Sequence, residues 1–232
     1  MTRHLPTRAA GAHPGPYKAV VFDLLTGLLD SWSLWNRVAG SAADGTRWRH
    51  AYLRHTYAQG AYRPYLDLVA AAAGEAGLPP SLATELERQW STLAPWPDVH
   101  DVLGQLHAQV PLGVVTNCSA ALGALAVACV AVPLDVVITA EAVGYYKPDQ
   151  RCYEAAATAL VLDPGDILFV AGSPFDIVGA AAVGMPVFWH NRAGLAIPAG
   201  LDVRSPYTEA RDLSALLRLM GGAAPHSRAR GA

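Results

Sequence analysis

Five short apolar runs, separated by helical patterns, constrain this chain more than any other feature of its sequence. The clearest spans 18–23 and reads Lys18-Ala-Val-Val-Phe-Asp23, a run of the buried parallel-sheet type that ends in a carboxylate. Runs at 111–116, 135–139 and 167–171 look alike, and 185–189 adds a fifth. Between them lie helical patterns at 99–109, 120–131, 151–160 and 175–183. Strand alternating with helix predicts an α/β fold, a doubly wound parallel sheet forming a Rossmann-like core, whose ligands bind beyond the carboxyl ends of the strands. From 30 to 96 the rhythm changes to helix after helix, at 35–39, 48–57, 65–76 and 81–90, with no strand between them. A helical cap is therefore expected directly after the first strand. The expected division is a core at 17–30 and 97–220, a cap at 31–96, a disordered leader at 1–16 and a disordered tail at 221–232.

Composition narrows the function classes. The chain has 232 residues, enough for one domain or a core with an insert. Its 17 basic and 19 acidic residues leave a net charge of −2, which gives no electrostatic footprint for nucleic acid. Although 52% of the residues are hydrophobic, every apolar run is broken well short of the ~20 residues that span a bilayer, so no membrane partner is expected. The leader lacks a continuous apolar stretch, which argues against a secretory signal. Cys118, Cys129 and Cys152 are odd in number and lack a CxxC spacing, so a reducing, cytoplasmic compartment is the default.

Chemistry gathers at the strand ends. Asp23 closes the first strand and precedes a loop, Leu24 to Asp30, whose Thr26 and Gly27 allow a sharp turn that aims N–H groups at an anion. Thr116 ends the next strand and opens Thr116-Asn117-Cys118-Ser119 at a helix start, where hydroxyl, amide and free N–H donors can hold an anion. Lys147 follows the third strand, placed to neutralise Asp23 and any oxyanion formed on it. Ser173 and Asp176 follow the fourth. Each residue alone has a plain alternative as a cap, a turn or a solvated charge. Four strand ends converging on one edge favour a site.

These motifs, in this order, resemble the haloacid dehalogenase superfamily of hydrolases and, within it, the L-2-haloacid dehalogenases. The resemblance covers about 17–220. It rests on Phe22-Asp23…Asp30, on Thr116-Asn117-Cys118-Ser119, on Lys147-Pro148-Asp149 with Tyr153, and on Ser173-Pro174-Phe175-Asp176 with Gly179-Ala180. Val187-Phe188-Trp189-His190-Asn191-Arg192 is similar to the Phe-Trp-x-Asn-Arg run of the dehalogenase branch. Superfamily phosphatases carry an acid two residues after the nucleophile, where this chain has Leu25, and a second carboxylate in the fourth motif, where it has Gly172. Both losses argue against magnesium-assisted phosphoryl transfer, so no metal or other cofactor is expected. Halide needs no proton to leave.

The resemblance implies that Asp23 attacks the carbon bearing the leaving group and forms an aspartyl ester that water hydrolyses. Lys147 would keep Asp23 ionised, Asp176 with Ser173 would place or activate the water, and Tyr153 would orient Lys147 or the ester oxygen. Thr116 and the N–H of Asn117 would bind the carboxylate of a small substrate, with Leu25 and Thr26 beside it. Trp48-Arg49 is similar to the Trp-Arg pair with which the family cradles the halide, although Arg49 also reads as a surface charge like Arg47 and Arg54. Tyr57, Tyr62 and Trp96 read as a dry pocket lining or as plain core. The order Thr26-Gly27 reverses the family's Gly-Thr, displacing the hydroxyl by one position. Cys118 has no paired His nearby in sequence and reads as packing. A homodimer is implied as well. Alternatives are the same chemistry on another C–X bond such as a strained cyclic amino acid, a superfamily phosphatase, or a non-catalytic scaffold.

Overall fold

The computed structural model describes residues 16–221, and the expected leader and tail lie outside these apart from one inner residue each. Six strands form one sheet: β1 (Ala19–Asp23), β2 (Leu112–Thr116), β3 (Val136–Thr139), β4 (Ile167–Ala171), β5 (Val187–His190) and β6 (Tyr207–Ala210). Their order is β3-β2-β1-β4-β5-β6, and every neighbouring pair is parallel. The doubly wound α/β sheet expected from the alternation is the one observed. β6 was not legible, because Tyr207-Thr-Glu-Ala is a half-exposed edge strand with a charge inside it rather than an apolar run.

Ten helices complete the described residues. After β1 come α1 (Ser31–Ala39), α2 (Ala42–Gln59), α3 (Tyr65–Glu75) and α4 (Leu82–Arg88). The expected helix at 81–90 stops early, and Trp90–Thr92 tightens into a 3-10 turn. Then follow α5 (Val99–His107), α6 (Ala120–Val130), the short α7 (Ala140–Val143), α8 (Gln150–Leu160), α9 (Pro174–Ala182) and α10 (Ser214–Met220). None is long and apolar enough to cross a membrane.

Period-two alternation sends each strand's side chains into two layers. Val20 and Phe22 of β1 join one apolar cluster with Leu103 of α5, Leu122 of α6 and Leu216 of α10, whereas Ala19 and Val21 join another with Tyr153 of α8 and Ile177 of α9. The first cluster continues without a break into Trp35, Trp48, Tyr52 and Tyr65 of the helices that follow β1. Each of these buried rings contributes on the order of 2 kcal/mol. The chain leaves β1 to add β2 and β3 on one side and returns to add β4, β5 and β6 on the other, so the switch point lies at the carboxyl end of β1.

Asp30 caps α1, its carboxylate accepting from Ser33 N at 3.0 Å, which explains that acidic residue structurally. α1 and α2 approach so closely that a Cβ on Gly45 would lie 2.3 Å from Asn36 Oδ1 and 2.4 Å from its Cα. Gly45→Ala is therefore expected to lower stability by about 1–3 kcal/mol, read as a lower urea midpoint at unchanged slope; an unchanged midpoint would refute the close crossing.

Candidate active site

Asp23 ends β1 where the chain must turn at once. The turn points two backbone N–H groups back at the carboxylate: Thr26 N donates to Asp23 Oδ2 at 3.0 Å and Gly27 N at 3.1 Å. The anion that this loop was expected to hold is thus the protein's own. The turn is tight enough that a Cβ on Gly27 would meet Asp23 O at 2.3 Å, so the position after Thr26 has no room for a side chain. This accounts for the Thr26-Gly27 order.

Lys147 lies between two carboxylates. Its Nζ is 2.8 Å from Asp23 Oδ1 and 3.0 Å from Asp176 Oδ1, with Lys147 1% exposed and Asp176 fully buried. Asn117 holds the lysine's backbone on both sides: Lys147 N donates to Asn117 Oδ1 at 2.7 Å and Asn117 Nδ2 donates to Lys147 O at 3.2 Å. Tyr52 OH in turn donates to Asn117 O at 2.9 Å. Asp176 sits in the first turn of α9 and reaches back to the N–H groups of Gly172 and Ser173 and to Ser173 Oγ, each at 3.3 Å. Tyr153 OH donates to Asp176 Oδ1 at 3.2 Å. Gly179 makes way for that ring, since a Cβ there would lie 2.6 Å from the phenol oxygen.

The two carboxylates differ in proton affinity. Burial works against ionising Asp23, but the Lys147 ammonium and the two N–H donors outweigh it and hold this carboxyl below its ordinary range. Burial raises Asp176, Lys147 offsets part of that, the Asp23 charge adds to it, and the net direction is upward. Burial opposes the charge on Lys147, but the two carboxylates reverse that and raise its pKa. The arrangement is one ionised carboxylate, one carboxylate poised to accept a proton, and an ammonium that stays charged.

Arg49 comes from α2 and is not a surface charge. It is 2% exposed, and its Nη2 donates to Thr26 Oγ1 at 3.2 Å and to Ser31 Oγ at 3.0 Å. Its guanidinium carbon lies 4.9 Å from the Trp35 ring centre and 5.0 Å from that of Tyr52. Nε and Nη1 have no protein partner, and no described carboxylate pairs with the group. Arg47 and Arg54, by contrast, are exposed and pair with Asp44 and Glu75. Asp23, Leu25, Thr26, Arg49, Asn117 and Lys147 line one small chamber of about 20 Å³, with Tyr52 and Tyr57 also on its wall.

Thr116 is not on that wall. It is buried, its hydroxyl 3.7 Å from Cys118 Sγ on the side facing α6. Ser119 caps α6, accepting from Leu122 N at 3.3 Å. Burial pushes the Cys118 thiol up to about 12, so it carries no thiolate at neutral pH. Tyr62 stacks on Tyr146 away from the chamber. Trp96 Nε1 donates to Thr26 O at 2.8 Å, and His190 Nδ1 donates to Gly27 O at 2.8 Å. Both brace the Asp23 loop, a role that no spacing in the sequence announces. Nothing in the sequence singles out Ser31, nor the contact of Tyr57 to Ser173, where the two hydroxyls lie 2.5 Å apart.

A family model described as haloacid dehalogenase-like hydrolase matches residues 17–184. An (S)-2-haloacid dehalogenase of Pseudomonas sp. (strain YL) is 29% identical over 194 residues, 76% of this chain and 84% of the relative. The (S)-2-haloacid dehalogenase H-109 of Pseudomonas putida is 29% identical over 216 residues, 85% of this chain and 95% of the relative. A solved L-2-haloacid dehalogenase superposes with a TM-score of 0.75 at 28% identity, covering 88% of this chain and 98% of its own.

Removing one member of a buried ion cluster strands the others. Lys147→Met is expected to lower stability by about 3–5 kcal/mol at neutral pH and by less in acid, where a carboxyl can take up a proton. Chemical denaturation at the two pH values checks this, and an equal loss at both would contradict the cluster.

Proposed function

The chain belongs to the haloacid dehalogenase-like hydrolase family, and on that premise we propose that it displaces halide from small 2-halocarboxylic acids through an ester on Asp23. The observation that carries this reading is Asp23 held ionised, by Lys147 and two N–H donors, on the wall of a chamber that is also lined by Arg49, whose Nε and Nη1 have no protein partner.

One carboxylate oxygen of Asp23 attacks C2 from behind the C–halogen bond, and the halide leaves with the bonding pair towards Arg49. The N–H groups of Thr26 and Gly27 face the oxygen that remains the ester carbonyl, an oxyanion hole for the second step. Water then adds to the ester carbonyl while Asp176, steadied by Ser173 and Tyr153, accepts its proton and passes it to the departing alkoxide. The products are the 2-hydroxy acid with inverted configuration, halide and a proton, and Asp23 returns as carboxylate. Leu25, Thr26 and Asn117 bound the substrate. The hydroxyl of Thr116 is spent on Cys118, so the substrate carboxylate falls to the chamber's cations and backbone N–H groups.

A divalent cation does not fit these residues. The Lys147 ammonium occupies the space between Asp23 and Asp176, Leu25 offers no oxygen, and a Cβ on Gly172 would lie 2.2 Å from Asp23 Oδ2, so no second carboxylate can stand there. We therefore propose a cofactor-free reaction. The helices at 31–96 act as the cap over a core at 17–30 and 97–220, in a cytoplasmic enzyme whose three cysteines are free, and two copies pair as a homodimer.

Halide release from short 2-chloro- and 2-bromocarboxylates, beside a phosphate-ester control, tests the reading. Release should be indifferent to EDTA and should fall at least about a thousandfold in Asp23→Asn. Magnesium-dependent phosphate release without halide would overturn the proposal. The pH dependence has a definite sign: as pH falls, Asp176 with its raised pKa takes a proton before Asp23 with its lowered one. Ester formation therefore outlasts ester hydrolysis, and acid-quenched enzyme should show more covalent adduct by mass spectrometry as pH drops; less adduct would contradict the roles of the two carboxylates.

A further inference from the structure

The chamber that holds Asp23 adjoins a much larger open groove, and one side chain forms a wall of both. The chamber encloses about 20 Å³, close to the volume one water needs. The groove, of about 600 Å³, runs between the end of α2 and the start of α8 past Tyr146, Pro148 and Glu154. Tyr57 is the single residue lining both.

Tyr57 is fixed in that position from the far side. It stands on α2, but its ring stacks on Phe175 of α9 at 4.2 Å between centroids and 16° between planes, and its hydroxyl meets Ser173 Oγ at 2.5 Å. Its polar tip is satisfied and its face covered, so the ring stays in place as a partition. Leu53, one helical turn earlier, continues the chamber wall.

We propose that Tyr57 is the residue that sets the length of substrate this site accepts, closing the chamber against the groove. The proposal rests on the dehalogenase reading for the class of substrate. The chamber behind the ring is so small that even an acid of two carbons must press against it, and each further methylene of the 2-substituent must pass the position the ring occupies. Removing the ring joins chamber to groove and gives a longer alkyl chain room to extend past Leu53 of the chamber wall into the groove. Removing only the hydroxyl leaves the partition standing.

The test compares wild type, Tyr57→Ala and Tyr57→Phe across 2-bromoacetate, 2-bromopropionate, 2-bromobutanoate and 2-bromohexanoate. Wild-type kcat/KM should fall steeply with length. In Tyr57→Ala the ratio for bromohexanoate over bromoacetate should rise by about tenfold or more, the scale of one or two methylenes in a fitted pocket. Tyr57→Phe should keep the wild-type length profile. A length profile unchanged in Tyr57→Ala, with bromoacetate still turned over, overturns the partition and leaves the dehalogenase reading intact. Calorimetric binding of acetate, butanoate and hexanoate to the same three proteins separates the two failures. No halide release from wild type, together with hexanoate binding gained only by Tyr57→Ala, keeps the partition and removes the reaction. Neither halide release nor carboxylate binding removes both.

Discussion

An ammonium buried between two buried carboxylates is the constraint on which the rest of this molecule depends. Lys147, Asp23 and Asp176 place one ammonium and two carboxyl groups almost wholly out of contact with solvent. Such a group is costly unless its remaining lone pairs are met. Here they are met by backbone: Thr26 and Gly27 on Asp23, Gly172 and Ser173 on Asp176. Each of those N–H groups belongs to a loop leaving the carboxyl end of β1 or β4, adjacent strands at the middle of the sheet. The parallel topology is therefore what supplies the donors. Gly27 and Gly172 follow from the same crowding: a Cβ on Gly27 would meet the Asp23 backbone carbonyl, and one on Gly172 the Asp23 carboxylate.

Most of this was legible in order along the chain. Five apolar runs mark five of the six strands, four of them ending in Asp23, Thr116, Thr139 and Ala171, and a parallel sheet brings such ends to one edge. The helical interruption gave the segment above that edge. What stayed hidden depends on helix phase and on long-range pairing. Arg49 sits among three arginines, and only its place on the stripe Gly45, Arg49, Tyr52 and Thr56, at spacings of four and three, separates it from exposed Arg47 and Arg54. Tyr57 reaches a serine more than a hundred positions away, and His190 a carbonyl at the other end of the sheet's sequence order. Neither partner leaves a periodic trace. Thr116 shows the converse: its position at a strand end was correct, and only coordinates reveal that its hydroxyl faces Cys118.

The reversed Thr26-Gly27 pair shows how one local requirement moves a function. With position 27 closed to any side chain by the Asp23 carbonyl, the loop's hydroxyl can stand only one residue earlier, and from there it meets the arginine of α2 rather than the nucleophile. The nucleophile keeps its two contacts because they come from the backbone, which is indifferent to the exchange.

The apolar cluster that passes without a break from the sheet into Trp35, Trp48 and Tyr65 has a consequence for how the molecule comes apart. Lifting the α1–α4 helices away as a body would bare part of this apolar cluster to water, which opposes their separation from the sheet. Melting of those helices and of the sheet is thereby joined into one cooperative event.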